Sequence, residues 1–315
     1  MKIVILDAST LGDDIDLSMF SELGEVVIHK MTCPDEVAER ISDCDVVIIN
    51  KIKLNEDNLK YAKNLKLICI AATGFDNVSA DDCKKLGIAL CNVKGYSTDS
   101  VAQTTVALAL SLSMHIPYFH NYVTSGEYTK SGVQNCLSPV YNEFSGKTWG
   151  VIGYGNIGKR VGDIARAFGC RVLAYSRTGK EGVECVSLDT LCRESDIVSV
   201  HLPLSDETRS LIGKKQLEEM KNTAILINTG RGAVTDEQAV TEAIESGEIG
   251  GFATDVYSVE PIEEMSPLTT LYGRDNVLFT PHLAWGAYES RMRCMNEIVL
   301  NIKAFFGNEV RNRIV

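Results

Sequence analysis

The sequence predicts an α/β protein made of two doubly wound, parallel-sheet domains, and three observations predict it. Short runs rich in Val and Ile alternate with amphipathic stretches, the pattern of strands buried on both faces between helices. The chain has 315 residues, about twice an ordinary domain length. A glycine-rich turn, Gly153 to Gly158, follows one such run and opens a helix-like stretch.

The elements follow in order. The first third reads as strands at KIVILDA, EVVIHK, DVVIIN, LKLICIAA and IALCNV, with helices between them such as PDEVAERI and SADDCKKLG. From Ser100, VAQTTVALALSLSMHI reads as one long apolar helix, followed by a polar, aromatic, turn-rich stretch, YFHNYVTSGEYTKSGVQNCLSPVYNEFSGK. A second alternating unit then carries strands TWGVIG, RVLAYS, DIVSVHL, AILINT, GGFATDV and VLFTPH. Helices are expected near Ile157 to Phe168, Lys214 to Lys221 and Asp236 to Ser246, with a last amphipathic one over roughly Tyr288 to Phe306. No internal repeat or low-complexity tether separates the units, and a cleft between them is the expected active site.

Composition narrows the chemistry. Apolar residues make up 45% and charged residues 23%, which excludes a disordered or fibrous chain. A net charge of −11 opposes nucleic acid and anionic membrane surfaces, so an anionic ligand needs local positive features such as an arginine or a helix N-terminus. The ten cysteines show no C-x-x-C pair and no zinc spacing, so no metal site is expected and the thiols read as reduced and mostly buried. The N-terminus enters a strand without a leader, and the most apolar helix is too short to span a bilayer, which predicts a cytoplasmic protein.

GYGNIG ends a strand and opens a helix, the setting of a dinucleotide fingerprint. Gly153 permits the tight turn, Gly155 admits a pyrophosphate to the backbone, Gly158 lets the helix close on the strand, and amides around Asn156 and Ile157 face the phosphates. At the end of the next strand, where NAD sites place an acid for the adenosine ribose, stand Ser176, Arg177 and Thr178. These can donate to a 2′-phosphate, so NADP(H) is favoured, with NAD(H) the alternative.

Of five histidines, His282 in FTPHLAW and His201 in DIVSVHL lie at carboxyl ends of strands, where parallel sheets form ligand crevices. Arg231, in INTGRG, and Glu260, in DVYSVEP, occupy similar positions. A cation, an acid and an imidazole can meet there around one substrate.

The segments GFDNVSADDCKKLGIALCNVKGYSTDSVAQ, GKTWGVIGYGNIGKRVGDIARAFGCRVLAYSR, HLPLSDETRSLIG, INTGRGAVTDEQAV, DVYSVEP and TPHLAW cover most of residues 45 to 306 and resemble the D-isomer-specific 2-hydroxyacid dehydrogenase family. NKIKL, GYSTDSVAQ and TPHLAW most resemble its glycerate dehydrogenases, or hydroxypyruvate reductases. The resemblance implies a flavodoxin-like substrate domain, residues 1–98 completed by 288–315, and a Rossmann cofactor domain, 99–287. It implies His282 as acid/base, Glu260 as the acid that orients and stabilises its imidazolium, and Arg231 as the group that binds the 2-oxo acid and polarises its carbonyl. Thr73, Gly74, Phe75 and Lys51 become substrate contacts, alongside Arg231 and His282. Thr105, His201, Pro203, Thr208, Thr229 and Asp255 join the cofactor contacts, the last toward the nicotinamide carboxamide.

The implied activity is reversible hydride transfer between NAD(P)H and a small 2-oxo acid such as hydroxypyruvate or glyoxylate. A bulkier aliphatic or aromatic 2-oxo acid is the nearest alternative, and a cofactor-sensing, corepressor-like regulator on the same fold is the alternative of another class. Phosphoglycerate dehydrogenases with an added regulatory domain are disfavoured because the chain ends at Val315. Closure of the cleft is expected to exclude water, and a homodimer is expected through the helix after Ser100 and its aromatic extension. One departure from many relatives is Gln103, where they carry Glu, which could alter the field around the site.

Overall fold

In a computed structural model describing residues 1–315, twelve strands form two sheets in which every strand pair is parallel. The chain divides into two compact units, Met1–Ser97 with Gly286–Val315 and Thr98–Trp285.

The first unit carries β1 (Lys2–Ile5), β2 (Glu25–Ile28), α1 (Val37–Arg40), β3 (Val46–Ile49), α2 (Glu56–Leu59), β4 (Leu67–Ile70), α3 (Ala80–Leu86) and β5 (Ala89–Cys91). Their order in the sheet is β2-β1-β3-β4-β5, so the winding reverses between β1 and β3. One face buries Val4, Val47, Ile49, Ile68, Ile70 and Leu90 and the alternate positions Ile3, Ile5, Val46, Ile48, Leu67 and Cys69 are buried too, which explains why the strands read as continuous apolar runs. Against β4 packs the C-terminal helix Tyr288–Phe306, which buries Cys294, Ile298 and Ile302. After it the chain returns to the sheet edge, where the Ile314 amide donates to the Leu90 carbonyl at 2.7 Å. The connection from β1 to β2 forms only short 3₁₀ turns, Ala8–Leu11 and Ser18–Glu22, because Gly12 sits at φ +94° and breaks any longer helix.

The second unit opens with α4 (Thr98–Ser113), α5 (Ile116–Thr124) and α6 (Glu127–Ser131). Here the sequence reading needs correction twice. The long helix does not run through His115, which adopts a left-handed conformation (φ +50°), because Pro117 lacks the N–H that would continue the ladder and instead starts a new helix. The stretch read as turns from Tyr118 onward is helical to Thr124 and again over Glu127–Ser131, and Tyr118 and Tyr122, one turn apart, stack at 6.4 Å. Beyond them the chain follows β6 (Thr148–Ile152), α7 (Asn156–Ala167), β7 (Arg171–Tyr175), β8 (Glu184–Cys185), α8 (Leu188–Glu194), β9 (Ile197–Val200), α9 (Lys214–Glu219), β10 (Ile225–Asn228), α10 (Glu237–Ser246), β11 (Gly251–Thr254) and β12 (Val277–Phe279).

These strands order as β12-β11-β10-β9-β6-β7-β8. The winding reverses between β6 and β9, the point at which doubly wound sheets bind ligands beyond their strand ends. The core holds Trp149, fully buried, edge-on to Phe144 at 5.8 Å and donating its indole N–H to Ser199 Oγ at 2.9 Å. No helix is long and apolar enough to cross a membrane. All ten cysteines are free; burial pushes the Cys83, Cys91 and Cys170 thiols up to about 11, which removes them as nucleophiles at neutral pH.

Candidate active site

The glycine turn after β6 has the local geometry the fingerprint needs. Gly153 sits at φ +95°, and a side chain there would meet the His201 carbonyl. A Cβ on Gly158 would lie 2.2 Å from the Gly153 carbonyl oxygen, so only glycine lets α7 approach β6 this closely. At Gly155 nothing lies within 4 Å of the same construction. Gly155 caps α7 without a side-chain partner, and Gly155 and Asn156 are exposed while Ile157 is half-buried. The first amides of a twelve-residue helix therefore face open space, and a diphosphate fits there.

Beyond β7, Ser176 is half-buried and Arg177 and Thr178 are exposed. Arg177 pairs through Nη1 with Glu207 Oε2, a partner the sequence reading did not assign. Glu207 lies in the turn after β9, which Thr208 closes: its hydroxyl donates to the Pro203 carbonyl at 2.8 Å and accepts from the Ser205 amide at 2.8 Å. The structure thus places Arg177 beside the Pro203–Thr208 turn, thirty positions away in sequence.

His201 lies at the end of β9 in a directed hydrogen-bond chain. The Thr105 hydroxyl donates to the Val101 carbonyl at 2.8 Å and so accepts from Thr229 at 2.9 Å. Thr229 is then left to accept from His201 Nδ1 (3.3 Å), and Nε2 faces Ser199 Oγ at 3.0 Å. Desolvation pushes the His201 pKa down to about 3, so this ring is a neutral hydrogen-bonding element at any ordinary pH. Thr105 and Thr229 are held by it beside the switch point. Gln103 lies exposed on α4.

His282 and Glu260 form a close acid–imidazole pair. His282 Nδ1 stands 2.6 Å from Glu260 Oε2, with the two side chains 25% and 32% exposed, so solute can reach both. Glu260 Oε1 accepts the Tyr257 amide at 3.1 Å, which fixes the carboxylate within its own loop. Glu237, not identified from sequence, fixes that loop from α10: its two oxygens accept the Ser258 amide at 2.7 Å and the Ser266 hydroxyl at 3.2 Å. With Nδ1 committed to Glu260, Nε2 is the nitrogen left for proton exchange.

Asp255 holds the turn that carries His282. It is 1% exposed, and its oxygens accept the Thr280 hydroxyl at 2.6 Å and the Leu283 and Ala284 amides, each at 2.9 Å. His282 itself adopts φ +52°, a conformation that costs energy for a side chain with a Cβ and persists only where its surroundings impose it.

Arg231 follows β10 in a turn set by the fully buried Asn228, whose oxygen accepts the Gly230 amide and whose nitrogen donates to the Arg231 carbonyl, both at 3.0 Å. Next to it, Gly232 touches the Glu260 loop: a Cβ there would lie 1.9 Å from the Tyr257 carbonyl carbon. Arg231, Glu260 and His282 are thus carried by adjoining turns of one unit.

The remaining candidates lie in the first unit. Lys51 is exposed just beyond β3, and its amide donates to Asp7 Oδ2 at 2.6 Å. Thr73, Gly74 and Phe75 follow β4; the Thr73 hydroxyl donates to the Val93 carbonyl at 2.7 Å, and its carbonyl accepts from Asn92 at 2.7 Å.

Comparison with known proteins shows what the chain is similar to. Residues 106–284 match the family described as D-isomer specific 2-hydroxyacid dehydrogenase, NAD binding domain. Over 314 residues the chain is 36% identical to glycerate dehydrogenase of Methylorubrum extorquens, covering 99% of this chain and 98% of that one. It is 34% identical to hydroxypyruvate reductase of Blautia hydrogenotrophica, covering 97% of each. Among solved structures it resembles D-lactate dehydrogenase from Aquifex aeolicus complexed with NAD and lactic acid, at TM-score 0.86 and 29% identity over 98% of this chain and 96% of that one. An acyclic imino acid reductase in complex with NADPH and D-Arg matches at TM-score 0.88 and 28% identity over all of both chains.

The contact at Gly232 gives a direct test. Gly232→Ala is expected to force the Arg231 turn off the Tyr257 backbone and to destabilise the second unit by about 1–3 kcal/mol, the usual cost of overpacking. Urea denaturation followed by circular dichroism reads this, and an unchanged midpoint contradicts the contact.

Proposed function

The chain belongs to the D-isomer specific 2-hydroxyacid dehydrogenase family and is an NAD(P)-dependent oxidoreductase, and on that premise we propose that it reduces a small 2-oxo acid, hydroxypyruvate or glyoxylate, to the D-2-hydroxy acid. The His282–Glu260 pair at 2.6 Å, beside the Arg231 turn, carries this reading. When bound, the nicotinamide cofactor supplies the hydride. His282 Nε2 delivers the proton that the reduced carbonyl oxygen requires, and Glu260 stabilises the charged ring that donates it. Arg231 binds the 2-oxo acid and meets the negative charge that develops on the oxygen. Oxidation runs the same proton transfer in reverse.

Lys51 and the turn of Thr73, Gly74 and Phe75 are assigned to the substrate carboxylate. The open turn at Gly153, Gly155, Asn156, Ile157 and Gly158 is assigned to the cofactor diphosphate, with Thr105, His201, Pro203, Thr208, Thr229 and Asp255 bordering the rest of its site. The relatives named for glycerate and hydroxypyruvate support the small-substrate reading. A homodimer through α5 and the segment after it is part of the proposal, supported by the exposed apolar residues Ile116, Val123, Leu137, Val140 and Tyr141.

NADPH is the proposed cofactor, through Ser176, Arg177 and Thr178. The Arg177–Glu207 pair refines that choice: a 2′-phosphate must draw the guanidinium from a carboxylate that would itself repel the phosphate.

Turnover with NADPH and NADH against hydroxypyruvate, glyoxylate, pyruvate, 2-oxoisocaproate and phenylpyruvate tests the substrate. The expected result is highest kcat/KM for hydroxypyruvate or glyoxylate; preference for phenylpyruvate or 2-oxoisocaproate overturns it, and no turnover with any favours the regulatory reading. His282→Ala is expected to lower kcat by about two to four orders of magnitude while cofactor still binds; a near-normal rate removes the assigned role. Arg177→Ala should weaken NADPH about tenfold and NADH little, the scale of one charge-assisted hydrogen bond. Glu207→Gln should strengthen NADPH by about two- to fivefold, as expected for release of an exposed ion pair. Equal effects on both cofactors contradict the assignment of Arg177.

A further inference from the structure

The first unit contains a buried carboxylate that no step above uses. Asp7 follows β1, is 3% exposed, and faces three consecutive amides that leave β3. Oδ1 accepts from Asn50 at 2.9 Å, and Oδ2 accepts from Lys51 at 2.6 Å and Ile52 at 3.3 Å. Successive N–H groups converging on one point make an anion-binding concavity. Here the anion is the chain's own, and it sits at the β1/β3 reversal where a doubly wound sheet opens toward ligands.

The same turn is gripped from two further sides. Asn50 Nδ2 donates to Thr10 Oγ1 at 3.0 Å, and the Thr10 amide and hydroxyl both donate to the Asp7 carbonyl, at 2.9 and 2.7 Å. Asn77 Nδ2 donates to the Ile52 carbonyl at 2.8 Å and the Asn50 carbonyl at 3.2 Å. Asn77 lies in the loop that carries Thr73, Gly74 and Phe75, and its carbonyl accepts the Leu54 amide at 2.9 Å. The turn bearing Lys51 and the turn bearing Gly74 are therefore fixed to one another, with Asp7 beneath the first.

We propose that Asp7 is a positioning residue for the reaction: by occupying the three amides of Asn50, Lys51 and Ile52 it sets where the Lys51 side chain leaves the backbone relative to the Thr73–Phe75 turn, and so sets affinity for the substrate carboxylate. This rests on the substrate roles assigned above to Lys51 and to that turn. Asp7 does not transfer protons, because its oxygens are engaged by backbone donors and closed off from solvent. Burial pushes its pKa up while the three amides and the Lys51 charge oppose that rise, which is the balance of an anion kept for its hydrogen bonds. Asparagine cannot substitute, since its amide nitrogen would confront donors where the carboxylate offers acceptors.

The test is steady-state kinetics of Asp7→Asn, Lys51→Met and the double variant in the full-length enzyme with hydroxypyruvate, alongside cofactor affinity from fluorescence titration. The expected result is a KM raised at least tenfold by Asp7→Asn, with kcat and cofactor affinity within about twofold of the parent. The double variant should match Lys51→Met alone, because both lesions remove one interaction. If Lys51→Met raises KM and Asp7→Asn does not, the inference is overturned and the substrate reading stands. If Lys51→Met leaves KM unchanged, the substrate reading of Lys51 falls and the inference with it. A parallel loss of kcat, cofactor affinity and thermal stability in Asp7→Asn reduces Asp7 to a structural residue and also overturns the inference. Should Asp7→Asn fail to fold, Asn77→Ala, which loosens the same turn from its other side, is read by the same criteria.

Discussion

A parallel strand that leaves its sheet carries backbone amides that no neighbouring strand can satisfy, and the loops of this chain are shaped by where those amides find acceptors. At β1/β3 the acceptor is Asp7, after β12 it is Asp255, after β10 it is Asn228, and in the loop beyond β11 it is Glu237 and Glu260. Each is a side chain that holds a loop by accepting from its backbone amides. Leaving such an amide buried and unpaired costs about 1–3 kcal/mol, so these acceptors determine loop conformation rather than decorate it.

The chemistry inherits that constraint. His282 keeps a left-handed backbone because Asp255 receives the two amides that follow it. Glu260 divides its oxygens between Tyr257 N–H and the imidazole, so its orientation toward His282 is set by its own backbone. The two histidines at strand ends then separate by surroundings alone. His201 is desolvated among hydroxyls and stays neutral, whereas His282 has a carboxylate partner and access to solvent, the two features on which its proposed role rests.

Much of this was legible in the sequence wherever the signal is local. Alternation of Val-rich runs located every strand of four or more residues, and the spacing of Gly153, Gly155 and Gly158 located the turn after β6, because both are properties of adjacent residues. β8, two exposed residues long, has no such signal. α5 was hidden because its aromatic residues read as loop, although Pro117 at its first turn is a helix-start signal that could have revealed it. The contacts of Asp7, Glu237 and the Glu207 partner of Arg177 were not legible, since each acts on residues 21 to 45 positions away. An acidic residue directly following a strand, as in VILDA and ATDVY, is the one clue the sequence did hold for Asp7 and Asp255.

The two reversal points show how one backbone device serves opposite ends. In both, consecutive amides point out of a sheet at the position where ligands approach. At β1/β3 the amides are filled by Asp7, so a second anion is excluded from them and can be held nearby only by other donors. At β6/β9 the chain places glycine where an acceptor side chain could have stood, and the first amides of α7 remain uncapped. In a protein of net charge −11, an internal carboxylate closes one concavity and the lack of a side chain opens the other. The proposed diphosphate site therefore rests less on added positive charge than on helix-start amides that no side chain caps.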